Sequence, residues 1–255
     1  MASDEADRYR APALDKGLDI LELLAATEEG LNQAEISKAL GRTPNEIYRM
    51  LDRLVRRSYI RRTSEDRYEL TLKLFELAHQ KPPIKRLVSQ AIPILRDFSR
   101  QSEQACHLVI HDRNALVVVA QVDGPGYWNV SIRVGSKMGL INTGSGHVFL
   151  AFADKKERQL MLDEHGIEGS EALTPALERR LDKVFKQGFE NMPSAQVGSV
   201  HNLSVPIFGP LGTVIAAMTC PYTERLDRSE APGTQETIAL LREAAAQISQ
   251  RTSTP

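Results

Sequence analysis

A chain of 255 residues has room for one large or two ordinary domains, and its 42% hydrophobic and 25% charged fractions are those of a soluble globular protein. With 32 Lys and Arg against 33 Asp and Glu, the net charge of −1 excludes a general nucleic-acid coat; no apolar run approaches the ~20 residues of a membrane span. The acidic start MASDEADRYR is unlike a secretory leader, and the two cysteines, Cys106 and Cys220, form no CxxC pair, so reduced thiols and a cytoplasmic setting are expected.

Residues 1–10 are expected to be disordered. Leu14, Leu18, Leu21 and Leu24 or Ala25 then recur at helical spacing and predict a first helix. The stretch 31–57 predicts two more helices with a tight turn between them. Asn32 and Glu35 form a capping box ahead of Ala34, Ile36, Ala39 and Leu40, and Gly41 stops that helix. Thr43, Pro44 and Glu46 start the next one, which buries Ile47, Met50, Leu51 and Leu54. Asn45, Tyr48, Arg49, Asp52, Arg53 and Arg56 face away. After it, SYIRR and YEL alternate apolar and polar residues around Ser64-Glu65-Asp66, a short hairpin with Arg61, Arg62 and Arg67 at its base and flank.

A helix, a short turn, a longer helix with a basic outer face and a basic hairpin are the parts of a winged helix-turn-helix. The second helix presents donors to base edges and the wing grips the backbone or minor groove. The candidate DNA contacts are Arg42, Thr43, Asn45, Glu46, Tyr48, Arg49 and Arg53 on the helix and its cap, with Arg61, Arg62 and Arg67 on the wing. Clustering of the positive charge in this segment, in a chain that is otherwise balanced, is the distribution of a specific binder of double-stranded DNA.

An amphipathic stretch through Leu70, Leu74 and Leu77 is broken at Lys81-Pro82-Pro83, taken as the interdomain joint. A helix follows to about residue 104, with Leu87, Ala91, Leu95 and Phe98 on one side. Beyond it the period becomes extended: CHLVIHD, ALVVVAQVD and WNVSIRVG predict three strands. Helices are predicted over 143–153, 154–165 and 174–187, strands at HNLSVPIFG and TVIAAMTCPY around a Gly209-Pro210-Leu211-Gly212 turn, and a last helix over 234–251. The fold class is α+β. The domains expected are a DNA-binding domain over 11–80, a linker helix over 81–104 and a ligand domain over 105–255. The apolar stripes of the two helices flanking the joint are expected to serve as dimer contacts.

Three separated stretches resemble the IclR family of bacterial transcriptional regulators. PALDKGLDILELLA is similar to its first-helix signature, GSKMGLINTGSGHVFLAF to its effector-domain signature, and VHNLSVPIFGPLGTVIAAMTCPY to its late hairpin. The resemblance implies a winged helix-turn-helix joined by a linker helix to a GAF-like ligand-binding domain, in dimers or tetramers on a pseudo-palindromic operator. It places pocket residues at Leu140, Gly144, Ser145, Met192, Val200, Asn202 and Thr219. Gly139 stands where the family usually has proline, His147 where it usually has lysine, and Met192 where several relatives carry an acid.

The residues themselves point the same way. Asn142-Thr143-Gly144-Ser145-Gly146 opens a helix with small residues, an end suited to a carboxylate. Met138, Ser204 and Trp128 join the candidate effector set, Trp128 as an aromatic wall. The expected effector is a small organic acid, apolar or aromatic rather than a sugar acid. Cys106, His107 and His111 are the best local metal cluster, but the strand alternation turns Cys106 away from the two histidines, leaving an incomplete set, and no metal or other cofactor is expected. Gly144-Ser145-Gly146 lacks the spacing of a nucleophile elbow, and no catalytic residue is expected. The reading is a ligand-responsive DNA-binding regulator, a repressor of a catabolic operon. The alternatives are a ligand-binding protein that does not touch DNA and, more remotely, a hydrolase.

Overall fold

The computed structural model describes residues 11–80, 82–167, 173–226 and 230–253. The stretch 1–10, expected to be disordered, lies outside them. The chain divides into a first unit ending at Pro82 and a second beginning at Pro83.

In the first unit, α1 (Pro12–Ala25), α2 (Gln33–Ala39) and α3 (Pro44–Arg56) pack around Ile20, Leu24, Ile36, Ile47 and Leu51. The caps form as their residue types require. The Asn32 side chain accepts the Glu35 N–H while Glu35 accepts the Asn32 N–H, both at 2.9 Å. Gly41 carries the turn at φ +61°, a backbone conformation that a side chain would strain. Strands β1 (Ile60–Arg62) and β2 (Tyr68–Leu70) form the antiparallel wing, and Leu31 exchanges backbone hydrogen bonds with Tyr68 at its far side. The expected stripe on α1 is corrected: Leu14 and Leu18 are 61% and 47% exposed, and the buried face is Ile20, Leu21 and Leu24. Adjacent faces of one helix can both be apolar, and the packing partners decide which one is covered. Ala34 and Ala39 are likewise exposed. On α4 (Lys73–Gln80), Leu74, Phe75 and Leu77 are exposed.

The second unit is a six-stranded antiparallel sheet in the order β5-β4-β3-β8-β7-β6, with helices on both faces. Its strands are β3 (Cys106–Asp112), β4 (Ala115–Val122), β5 (Lys137–Met138), β6 (Glu190–Pro193), β7 (Val200–Phe208) and β8 (Val214–Thr223). One face packs on α5 (Pro82–Ser102) and α9 (Thr234–Ser253) through Leu87, Ala91, Leu95, Phe98, Leu241 and Ile248. The other packs on α6 (Gly144–Phe152), α7 (Lys155–Glu164) and α8 (Pro175–Gln187) through Val148, Leu150, Leu162, Leu181 and Val184. Strand alternation sorts the side chains: Cys106, Leu108 and Ile110 go to the first core and Val109 to the second.

Three expectations change here. The stripe of α5 is spent in this core, so it is not a free dimer contact. WNVSIRVG is not a strand: the chain runs irregularly until Gly135, at φ +88°, turns it into the short β5 beside Leu116 and Val117. Two of its alternating apolar residues, Val130 and Ile132, line a cavity instead of a ladder. Edge strand β6, absent from the sequence reading, pairs Glu190 with Ser204 and Met192 with Asn202.

Candidate functional site

Two sites can be built, one in each unit. In the first unit, burial of Ile47 and Leu51 turns Asn45, Tyr48, Arg49 and Arg53 outward on α3, with Arg42 and Thr43 exposed ahead of it. Among the described residues Arg49 and Arg53 have no ion-pair partner. Arg56 is held by Asp52 at 2.9 Å one turn back. The other candidates are already engaged. Glu46 accepts from the Lys16 ammonium and from the N–H and hydroxyl of Thr43, which bring its pKa down to about 2. It is a helix anchor, and its acceptors are taken.

Arg67 is drawn inward: Nε donates to the Glu29 carbonyl at 3.1 Å, and Nη2 to the Gly30 carbonyl at 2.9 Å and to Glu35 at 3.2 Å. It staples the wing to the start of α2, a task invisible in the sequence because its partners lie more than thirty residues away. Arg61 and Arg62 stay exposed, paired within the hairpin to Glu69 and Asp66. Surface pairs of this kind are weak and exchange readily for phosphate.

In the second unit a cavity of about 390 Å³ lies between the start of α6, the sheet and the 130–139 segment. Of the expected effector residues, Met138, Thr143, Gly144, Ser145, Val200, Asn202 and Thr219 line it. Four do not. Leu140 is core, its carbonyl pressed against Gly146, where a Cβ would meet that oxygen at 1.9 Å. Ser204 lies behind Gly144, Met192 is on the edge strand off the cavity wall, and Trp128 is 55% exposed. The wall includes residues the sequence reading missed: Ile132, Lys137, Ser194, Gln196 and Pro221 among them. For the 130–132 stretch the one local signal was the apolar alternation of Val130 and Ile132, which predicts a strand.

At the cavity floor three hydroxyls form a chain. Ser145 Oγ is 2.9 Å from Thr219 Oγ1, which is 2.8 Å from Ser204 Oγ. Thr143 caps α6 by accepting the Gly146 N–H at 3.1 Å. As the first two helical residues, Gly144 and Ser145 have N–H groups with no intrahelical acceptor.

Beside this floor lies a charged cluster that no local motif announces. Glu190, 2% exposed, receives His147 Nδ1 at 2.6 Å, Arg180 through two nitrogens at 2.8 and 2.9 Å, and the Asn191 N–H at 2.8 Å. His147 Nε2 donates to the Ile141 carbonyl at 2.9 Å. Both ring nitrogens thus face an oxygen, the Glu190 carboxylate on one side and the Ile141 carbonyl on the other, which fixes the ring in place. Burial pushes the Glu190 carboxyl up, but the donors of His147 and Arg180 outweigh it and bring its pKa to about 2.

Two family models cover the chain in sequence: the IclR helix-turn-helix domain over residues 13–64 and the bacterial transcriptional regulator IclR C-terminal domain over residues 84–250. The chain is 29% identical over 244 residues to the HTH-type transcriptional regulator KdgR of Escherichia coli, spanning 92% of this chain and 90% of that one. It superposes on the Thermotoga maritima IclR structure with a TM-score of 0.75 at 23% identity, covering 94% and 98% of the two chains. An IclR homologue from Microbacterium hydrocarbonoxydans, crystallised with 4-hydroxybenzoate, superposes with a TM-score of 0.76 at 21% identity over the same shares. No described helix is long and apolar enough to cross a membrane. With one model matching the DNA-reading head and the other nearly all of the sheet domain, the chain belongs to the IclR family of bacterial transcriptional regulators, which join a DNA-binding helix-turn-helix to an effector-binding domain.

Proposed function

We propose that the protein is a repressor of a catabolic operon, acting in the cytoplasm as a homodimer or homotetramer, and released from its operator by a small carboxylic acid. It is a regulator rather than an enzyme. Asn45 and Tyr48 contribute base choice, while Arg42, Arg49, Arg53, Arg61 and Arg62 hold phosphates.

The observation that carries the ligand reading is the charge of the cavity. Among its described lining residues Lys137 is the one charged side chain, and no carboxylate is present. A carboxylate would lie at the start of α6, where the free N–H groups of Gly144 and Ser145 and the helix dipole attract it. Val130, Ile132, Met138, Val197 and Val200 suit an apolar or aromatic body. The 4-hydroxybenzoate held by the Microbacterium homologue supports the same class. Acid and operator must favour different arrangements of the protein if one is to displace the other.

Calorimetry with benzoate tests this. Binding should weaken about fivefold in Lys137→Gln, in line with loss of roughly 1 kcal/mol from one partly solvated charge contact, and the remaining affinity should depend less on salt. Equal affinity in wild type and Lys137→Gln, or tighter binding of a neutral polyol, would overturn the acid reading.

The oligomer has its own test. One winged head covers a single half-site, and useful specificity generally needs two. Light scattering at micromolar concentration should give at least twice the 28.4 kDa chain mass. A monomer that still binds the operator would refute the assembly.

A further inference from the structure

The turn over residues 139–143 belongs to no helix or strand, yet Gly139, Asn142 and Thr143 line the effector cavity. It delivers the chain to Gly144 and Ser145, whose N–H groups face the place of the carboxylate. Backbone groups outside regular structure need partners from side chains or solvent. Thr143 closes the turn on itself: its hydroxyl donates to the Gly139 carbonyl at 2.7 Å and accepts the Gly146 N–H at 3.1 Å. The middle of the turn is held from elsewhere. There the Ile141 carbonyl accepts from His147 Nε2 at 2.9 Å.

His147 reaches back because of where it stands. It is the fourth residue of α6, and its backbone N–H donates to the Thr143 carbonyl at 3.0 Å. Side chains on a helix lean toward its N-terminus, so a ring at this position lies over the opening turn. The ring is 5% exposed and is not among the described residues that line the cavity. Its other nitrogen, Nδ1, is 2.6 Å from Glu190, which Arg180 on α8 and the Asn191 N–H on β6 hold in turn. A flat imidazole whose two nitrogens diverge at a fixed angle is a strut between the sheet edge and the turn.

The N–H groups of a helix start hold an anion only when they converge on it, because a hydrogen bond weakens steeply as its angle falls below about 120°. Such convergence depends on supporting contacts that lock the groups touching the ligand. The turn has little slack of its own, since the Leu140 carbonyl is pressed against Gly146. Close-packed interiors transmit displacement, so a shift of the Ile141 peptide passes on to Gly144 and Ser145.

We propose that His147 is a positioning residue of the effector site. By fixing the Ile141 carbonyl relative to Glu190, it sets the direction of the Gly144 and Ser145 N–H groups. It thereby sets the preference for a charged acid over a neutral molecule of the same shape. The proposal rests on the acid-binding reading of the cavity. Glu190 and Arg180, which are also absent from the described cavity wall, take part only through the ring.

The test uses benzoate and benzamide, alike in shape and different in charge, as calorimetric probes of the full-length protein. Wild type should prefer benzoate. Glutamine carries its amide nitrogen as far from the backbone as Nε2 and can still reach Ile141. Asparagine carries it where Nδ1 stands and reaches only Glu190. His147→Asn should weaken benzoate about tenfold, the size of one lost hydrogen bond to a charged group, and benzamide by no more than about twofold. His147→Gln should keep most of the preference. The Gly144 and Ser145 amide resonances should move with benzoate in wild type and His147→Gln, and much less in His147→Asn.

A stabilising role alone would not divide the two probes in this way. Equal losses of benzoate and benzamide in His147→Asn, or an unchanged preference, overturn the proposal and leave the acid reading standing. So does a folded His147→Gln that has lost the preference, which keeps the test decisive if His147→Asn does not fold. Failure of wild type to bind benzoate, or to prefer it to benzamide, overturns the acid reading and this proposal with it.

Discussion

Replacing Glu190 by leucine is expected to cost the second unit about 3–5 kcal/mol, the usual penalty for removing one member of a buried ion pair and stranding the others. His147 would lose its carboxylate partner, and Arg180 would lose both of its carboxylate bonds. For a unit of this size that corresponds to a fall in Tm on the order of 10 °C. The pH dependence gives an independent check. The Glu190 carboxyl is lowered from 4.5 to about 2 in the folded chain. A depressed carboxyl contributes its stability above the unfolded pKa and loses it as pH falls through the folded one. The contribution is therefore complete above about pH 4.5 and disappears toward pH 2. The shift is worth on the order of 3 kcal/mol. Wild type and Glu190→Leu should differ most near neutral pH and converge in acid. Calorimetric unfolding across that range measures both, and a variant within about 1 kcal/mol of wild type at pH 7 would show that the cluster holds nothing together.

The second large effect is expected on the recognition helix. Arg49→Ala combined with Arg53→Ala should weaken operator binding about 10- to 100-fold near physiological salt, and the dependence on salt should become shallower by about two charges. These two side chains are exposed on α3 and have no internal ion pair among the described residues, so their loss leaves the unit folded. Asn45→Ala and Tyr48→Ala should behave differently, costing about 1–3 kcal/mol and relaxing preference at single base pairs. Arg67→Ala makes the informative control. Its guanidinium ties the wing to Glu29, Gly30 and Glu35, so the variant should lose thermal stability in the first unit with little change of salt slope for the folded fraction. Fluorescence anisotropy over a salt series reads all of these. An unchanged slope and affinity in the Arg49/Arg53 double variant would remove the helix from the interface.

What the chain alone determined is what short-range chemistry controls. The capping boxes at Asn32/Glu35 and Thr43/Glu46, the left-handed Gly41 and the alternation of the wing each depend on residues within a few positions of one another, so helix, turn, helix and hairpin were readable before any fold was known. The two long strands of the late hairpin were readable for the same reason. The tertiary structure decided everything that depends on which face is covered and which strands become neighbours. Leu14 and Leu18 share the helical period of Leu21, yet only packing determines that Leu21 is buried and they are not. Val130 and Ile132 alternate as a strand would, but β4 takes Lys137 and Met138 as its partners and leaves them to the cavity wall. Residues 107, 121, 190, 204 and 219 carry no common motif. They form one line because antiparallel register brings distant segments side by side, and in that line a glutamate with no visible partner becomes the centre of a buried charge cluster.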